Sequence, residues 1–204
     1  AGMNPALQVT LLEKSSKLLS KVRVSGGGRC NVTQHGFEIA EMIKNYPRGA
    51  QFVKKAFHHF FTADTVKWFE ERGVALKAEK DGRMFPVTNS SETIIECLLK
   101  EANRYGVDIR MNAEVKKINR ADERQTADAG QKQFGIYFSD TGFLEADFVC
   151  LACGGYPKVS QYNWLQSTAL HIEPPVPSLF TFNMPGNAIT HLMGVSAERA
   201  IAKI

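Results

Sequence analysis

The sequence predicts an α/β domain in which helices flank a parallel sheet that carries a three-stranded β-meander. Three observations predict it. Val9 to Lys14 reads Val-Thr-Leu-Leu-Glu-Lys, a short β-branched and apolar run that ends in an acid, which suits a buried parallel strand with a polar group at its carboxyl end. Further runs of this kind, at 107–111 and 147–152, alternate with helical patterns bounded by capping residues. Between those two runs lie three shorter ones at about 113–120, 133–139 and 143–147, with the spacing of a meander.

The elements follow in order. The strand at 8–13 leads into a basic connection and then Ser25-Gly26-Gly27-Gly28-Arg29-Cys30-Asn31. Residues 36–73 read as helical, with Phe52, Val53, Ala56, Phe57 and Phe60 recurring at helical spacing. Within them a second helix starts at Thr62, as N-cap, and stops at Gly73. Val74 to Ala78 pairs with Arg83 to Val87 across Lys80-Asp81-Gly82, since Asp-Gly is a strong hairpin signal. Asn89, with Glu92 three residues on, opens the clearest helix, whose buried stripe is Ile94, Ile95, Leu98, Leu99, Ala102 and Tyr105 and whose stop is Gly106. In the meander, Thr126 to Gln133 is a polar excursion and Asp140-Thr141-Gly142 a tight turn. The run at 147–152 is the last parallel strand and delivers Gly154-Gly155 to the sheet edge where open α/β sheets place ligands.

The glycine triplet marks a candidate binding site. Gly tolerates positive φ and lets a ligand approach the backbone, and successive exposed N–H groups form anion-binding nests. Residues 14–29 carry Lys14, Lys17, Lys21, Arg23 and Arg29 and no acid. A phosphate-bearing ligand held between strand and loop accounts for that one-sided charge. A solvated basic helix followed by a flexible loop accounts for it as well.

Three motifs carry a resemblance. Glu13-Lys14 followed by Ser25-Gly-Gly-Gly-Arg-Cys-Asn31, then Gly82-Arg83-Met84-Phe85-Pro86, then Ala152-Cys153-Gly154-Gly155 resemble, in order and spacing, the motifs of a family of bacterial flavoproteins. These are the aminoacetone-oxidase-like NAD(P)/FAD-dependent oxidoreductases. The resemblance implies a three-layer FAD/NAD(P)-binding domain, α/β, with a parallel sheet and a three-stranded β-meander as in glutathione-reductase-like proteins. It implies that Glu13 accepts hydrogen bonds from the adenosine ribose. It implies that Ser25, Gly26, Gly27 and Gly28 line the flavin or pyrophosphate, that Arg29 pairs with a phosphate, and that the backbone of Glu114 and Val115 contacts the adenine. Lys14, Cys30, Asn31, Ala152, Gly154 and Gly155 belong to the matched motifs and join the candidate cofactor-binding set. Arg29 reads equally as a surface salt-bridge partner, Glu13 as an acid capping a strand end, and Cys30 as a packing residue. No catalytic acid or base stands out.

The chain departs from that family in two places. After the double glycine, Tyr156 to Trp164 replaces the family's Thr-Gly-Ser-x-Gly-Asp-Gly, which puts flavin contacts from this segment in doubt. Members also open with a strand, a G-x-G-x-x-G loop and a helix, whereas this chain opens Ala1-Gly2-Met3-Asn4-Pro5 and passes directly into the strand at 8–13. The resemblance therefore implies a fragment that carries no FAD by itself, because the opening strand belongs between the strands at 8–13 and 147–152. Residues 1–178 form the FAD-binding domain, and 179–204, after the extended Pro174-Pro175-Val176-Pro177-Ser178, begin a truncated second domain.

At 204 residues and a net charge of +4, without a long basic run, the chain points to neither nucleic acid nor a membrane as partner. Its expected partner is a small-molecule substrate. The four cysteines, Cys30, Cys97, Cys150 and Cys153, do not have disulfide-framework spacing and suit a cytoplasmic protein. Cys150-x-x-Cys153 lacks the second pair that zinc needs and reads as two small core residues. His58 and His59 are adjacent and point to different faces, which argues against a metal site.

Function resolves into three expectations. The first is a flavin-dependent oxidoreductase that takes electrons from NAD(P)H or an amine-like substrate through FAD. The second is a nucleotide-binding or scaffold module without turnover. The third is a flavin-dependent RNA-modifying enzyme, which the absence of a basic stripe disfavours.

Overall fold

The computed structural model describes residues 2, 4–120, 133–168, 170–176, 183–192 and 201. The predicted polar excursion at 126–133, except Gln133, and most of 179–204 lie outside these residues. The α/β class holds. Strand β1 (Thr10–Leu12) runs parallel to β5 (Asp108–Arg110) in the register Thr10↔Asp108, Leu11↔Ile109, Leu12↔Arg110. The ladder continues past β1: Glu13 N–H donates to the Arg110 carbonyl and Ala113 N–H to the Glu13 carbonyl, both at 2.9 Å.

Between them come α1 (Ser20–Gly28), the two-residue strand β2 (Thr33–Gln34), α2 (Ile39–Met42), α3 (Ala50–Phe57) and α4 (Thr62–Glu70). The predicted hairpin forms as β3 (Leu76–Ala78) against β4 (Arg83–Pro86), and β2 adds to its other side, giving the order β2-β4-β3. Helix α5 (Ser91–Arg104) follows. The meander forms as β6 (Val115–Arg120), β7 (Phe134–Phe138) and β8 (Gly142–Ala146), antiparallel and in sequence order.

Two helix starts differ from expectation by one residue. Asn89 takes a left-handed conformation (φ 55) in a turn closed by its N–H on the Pro86 carbonyl. Ser90 is thereby left extended, as an N-cap requires, and its hydroxyl accepts from the Glu92 N–H at 3.3 Å. At α4 the N-cap is Phe61, whose N–H donates to Asp64 at 2.8 Å. Thr62 is instead buried, and its hydroxyl donates to the Gly36 carbonyl at 2.6 Å.

Two cores result. Cys30, Phe69, Val74, Ile94 and Cys97 form the first, where α1, α4 and α5 meet, with Val22, Trp68 and Leu98 against them. Ile118 and Ile136 of the meander form the second with Leu165, which projects from a 3-10 helix at Val159–Thr168. Leu12 of β1 and Val149 both lean on this second core.

The expected strand at 147–152 is the main difference. Residues 148–152 join no sheet among the described residues. A parallel strand needs a neighbour, and among the described residues β1 pairs only with β5. Val149 still packs inward, but Phe148 is 79% exposed. Cys150 and Cys153 are consequently exposed, not the core residues their apolar setting predicts.

Candidate functional site at the glycine loop

The glycine loop is built by breaking α1. Ser25 turns extended (φ −64, ψ 148), and Gly26, Gly27 and Gly28 then take φ of 56, 67 and 84. Cys30 is also left-handed, at φ 61. The Ser25 hydroxyl donates to the Val22 carbonyl at 2.9 Å, and the Cys30 N–H closes the loop on the Ser25 carbonyl at 3.0 Å. Burial of the Cys30 side chain in the first core pins the far end.

The glycines face different surroundings. A Cβ on Gly26 would stand 2.7 Å from Cε1 of Phe85, a fully buried ring, and 3.0 Å from the Asn31 nitrogen. A Cβ on Gly27 would meet nothing within 4 Å. Gly26 is therefore a packing glycine, and Gly27 borders open space. Beneath the loop a cleft of about 350 Å³ is lined by Lys21, Ser25, Cys30, Asn31, Thr65 and Phe69, among others. That is the small end of ligand pockets, enough for part of a dinucleotide.

The second glycine pair comes to the same place. The Lys21 ammonium lies 2.9 Å from the position a Cβ on Gly154 (φ 74) would take, and Gly155 borders open space. Lys14, at the carboxyl end of β1, sits 5.9 Å from the centre of the Tyr156 ring. The Tyr156 N–H donates to the Tyr162 hydroxyl at 2.8 Å, and the two rings meet edge to face at 5.1 Å. Burial pushes the Tyr156 phenol up, with the charges of Cys153, Glu114 and Tyr162 adding to it. Lys21 and Lys14 thus both reach the Gly154–Tyr156 segment.

The remaining candidates are placed as follows. One Glu13 carboxylate oxygen accepts from the Ser15 N–H at 2.8 Å. The Arg29 guanidinium stacks 4.0 Å over Phe85, bonds Glu79 at 2.5 Å and donates to the Gly26 carbonyl at 3.3 Å. It is thus committed as a salt-bridge partner that buttresses the loop. Asn31 is exposed, as is Ala152. The Glu114 carbonyl accepts from Ser139 N–H at 2.8 Å, while its side chain pairs with Lys116, whose hydrogen bond holds the carboxyl below the usual range. Val115 begins β6.

Sequence reasoning singled out neither Lys21 nor Tyr156 as a site residue. Lys21 was visible only as one charge in a basic run, and Tyr156 only as a departure from a motif. Among the described residues no three His, Cys, Asp or Glu side chains gather as a metal site. No helix there is long and apolar enough to cross a membrane.

Comparison with known proteins adds the lineage. The chain is 26% identical over 204 residues to the ribosomal RNA dihydrouridine synthase of Haemophilus influenzae, covering 96% of this chain and 48% of the relative. It is 24% identical over 203 residues to the 3-dehydro-bile acid delta(4,6)-reductase of Clostridium scindens, covering 97% and 46%. Against the ribosomal RNA dihydrouridine synthase of Escherichia coli it is 27% identical over 121 residues, covering 59% and 29%. The chain thus spans about half the length, or less, of the curated relatives it matches. Residues 2–182 match the family described as HI0933-like protein Rossmann domain, and the chain belongs to that FAD-binding family of flavoprotein-like oxidoreductases.

Proposed function

We propose that the chain forms the FAD-holding part of a flavin-dependent oxidoreductase, with NAD(P)H or an amine-like compound as electron source. One observation carries this reading: the left-handed Gly26–Gly28 loop opens onto free space at Gly27, and Lys21, on the helix that ends in this loop, reaches Gly154. The residues fit such a ligand. Backbone N–H groups of the loop would line its polar edge, Lys21 and Lys14 would face its phosphates, and Glu13 would take the ribose hydroxyls. Tyr156, edge to face with Tyr162, would form a wall in the segment that replaces the family's glycine-containing motif. Arg29, held by Glu79, shapes the loop and leaves phosphate contact to the lysines. When bound, FAD would supply the redox chemistry, and the protein position, electrostatics and exclusion of water.

Taken alone, the 204 residues would hold FAD poorly. Among the described residues β1 has one ladder partner and 148–152 has none, so no shared ladder fixes the spacing of the glycine triplet and the glycine pair.

A second reading is a flavin-dependent RNA-modifying enzyme. It is favoured by the names of two relatives, both ribosomal RNA dihydrouridine synthases. Both readings require flavin. The visible absorption spectrum of a purified protein of the relatives' full length tests them together: flavin bands are expected, and a colourless protein that does not take up FAD would overturn both.

A further inference from the structure

The region around α3 exposes large apolar and basic side chains that the cofactor site does not use. From Met42 to Ala63 the sequence carries Lys44, Arg48, Lys54 and Lys55 and no acid. Helix α3 buries none of its residues fully, and Ala50, Val53 and Phe57 face inward along it, with the Phe57 ring 4.9 Å from Phe61 and 5.8 Å from Tyr46. With its inner face thus committed, Phe52 stands 79% exposed and Phe60 53% exposed. At 100° per residue, Phe52 and Lys55 share the outer face of α3, with Lys54 to one side of it; His58 and His59 follow, exposed, in the turn that ends the helix. Lys44 is paired with Glu41, and Arg48 with Glu173. Lys54 and Lys55 have no ion-pair partner among the described residues.

We propose that this face binds single-stranded or looped RNA. Proteins that hold unpaired nucleic acid set cations for the phosphates beside exposed rings on which bases stack. Here Phe52, His59 and Phe60 would be the rings, and Lys54 and Lys55 the phosphate contacts. The absence of a basic stripe along the whole sequence hid this, because the stripe is local and forms only when α3 turns its apolar side inward. The choice of RNA over DNA rests on the second reading above; the face itself does not depend on flavin.

Fluorescence anisotropy of the purified full chain with labelled single-stranded RNA tests it, with duplex RNA and phosphatidylserine vesicles as further arms. Wild type is expected to prefer the single strand. Phe52→Ala is expected to weaken it about tenfold. Lys54→Gln/Lys55→Gln is expected to lower the log–log salt slope by about 1.4. All three substitutions are at exposed positions, and circular dichroism verifies the fold. Lys100→Glu, on α5, should change nothing. RNA binding that both folded variants retain in full would overturn the face and leave the RNA reading standing. No RNA binding by wild type would remove both. Vesicle binding without RNA binding would make the face a membrane contact and overturn the proposal.

Discussion

The Lys21 ammonium lies 2.9 Å from where a Cβ on Gly154 would stand. This contact joins the two glycine motifs, which are far apart in sequence. Removing the charge should leave the fold intact, because Lys21 is exposed. Lys21→Ala is therefore expected to weaken FAD binding by about tenfold, the scale of one charge-assisted phosphate contact, with an unchanged melting temperature. Gly154→Ala should both strain the left-handed backbone and push Lys21 aside. Titration calorimetry of both variants with FAD, in a protein of the relatives' full length, checks the pair.

Gly26 and Gly27 should respond differently to the same substitution. Gly26→Ala adds a methyl group 2.7 Å from the buried Phe85 ring, an overpacking cost of about 1–3 kcal/mol. It also incurs the left-handed backbone cost of about 1–2 kcal/mol. Gly27→Ala incurs only the backbone cost, because its Cβ meets nothing. Urea unfolding should rank Gly26→Ala as clearly the less stable. Equal destabilisation would mean that Gly26 is not packed against Phe85.

The pair of Arg72 and Glu101 should set the acid limit of the fold. Arg72 Nε donates to the buried Glu101 carboxylate at 2.7 Å, Arg72 Nη1 donates to the Trp68 carbonyl at 2.8 Å, and the guanidinium stacks 3.9 Å over the Trp68 ring. The hydrogen bond from Arg72 holds the Glu101 carboxyl below its ordinary value of 4.5, against the opposing effect of burial. A carboxyl lowered on folding contributes stability in full above its unfolded value and loses it as pH falls through the folded one. The melting temperature should therefore decline as pH drops below about 4.5, and Glu101→Gln should flatten that decline. An unchanged slope in a folded Glu101→Gln protein would assign the acid sensitivity elsewhere.

The thiols should split two and two. Cys30 and Cys97 are buried and Cys150 and Cys153 exposed; burial pushes the Cys97 thiol up as well. An aromatic disulfide reagent at neutral pH should titrate two thiols quickly and the other two only after unfolding. Slow reaction of all four would mean that 148–152 is covered.

What could be read from sequence was local. The meander was legible because alternation and the Asp140-Thr141-Gly142 turn specify hairpins without help from distant residues. The β3–β4 hairpin and α5 were legible for the same reason, and the one-residue shift from Asn89 to Ser90 reflects a turn that only the preceding strand imposes. That 8–13 and 107–111 are parallel-type strands followed from the apolar runs, but their pairing and the fate of 147–152 did not, since pairing depends on which neighbour is present. At the site, the positive φ values followed from the glycines themselves. The Lys21–Gly154 contact and the capture of Arg29 by Glu79 are through-space events with no local signature.

The central claim is that the loop at Gly27 is the FAD cradle. Gly27→Val tests it most directly, because a β-branched side chain resists positive φ and would fill the open space beyond the loop. In a protein of the relatives' full length, calorimetric titration with FAD is expected to show micromolar or tighter binding for wild type. The folded variant should lose at least about a hundredfold, the scale of the roughly 3 kcal/mol that the lost space and contacts imply. A folded Gly27→Val protein that binds FAD as wild type does would contradict the account.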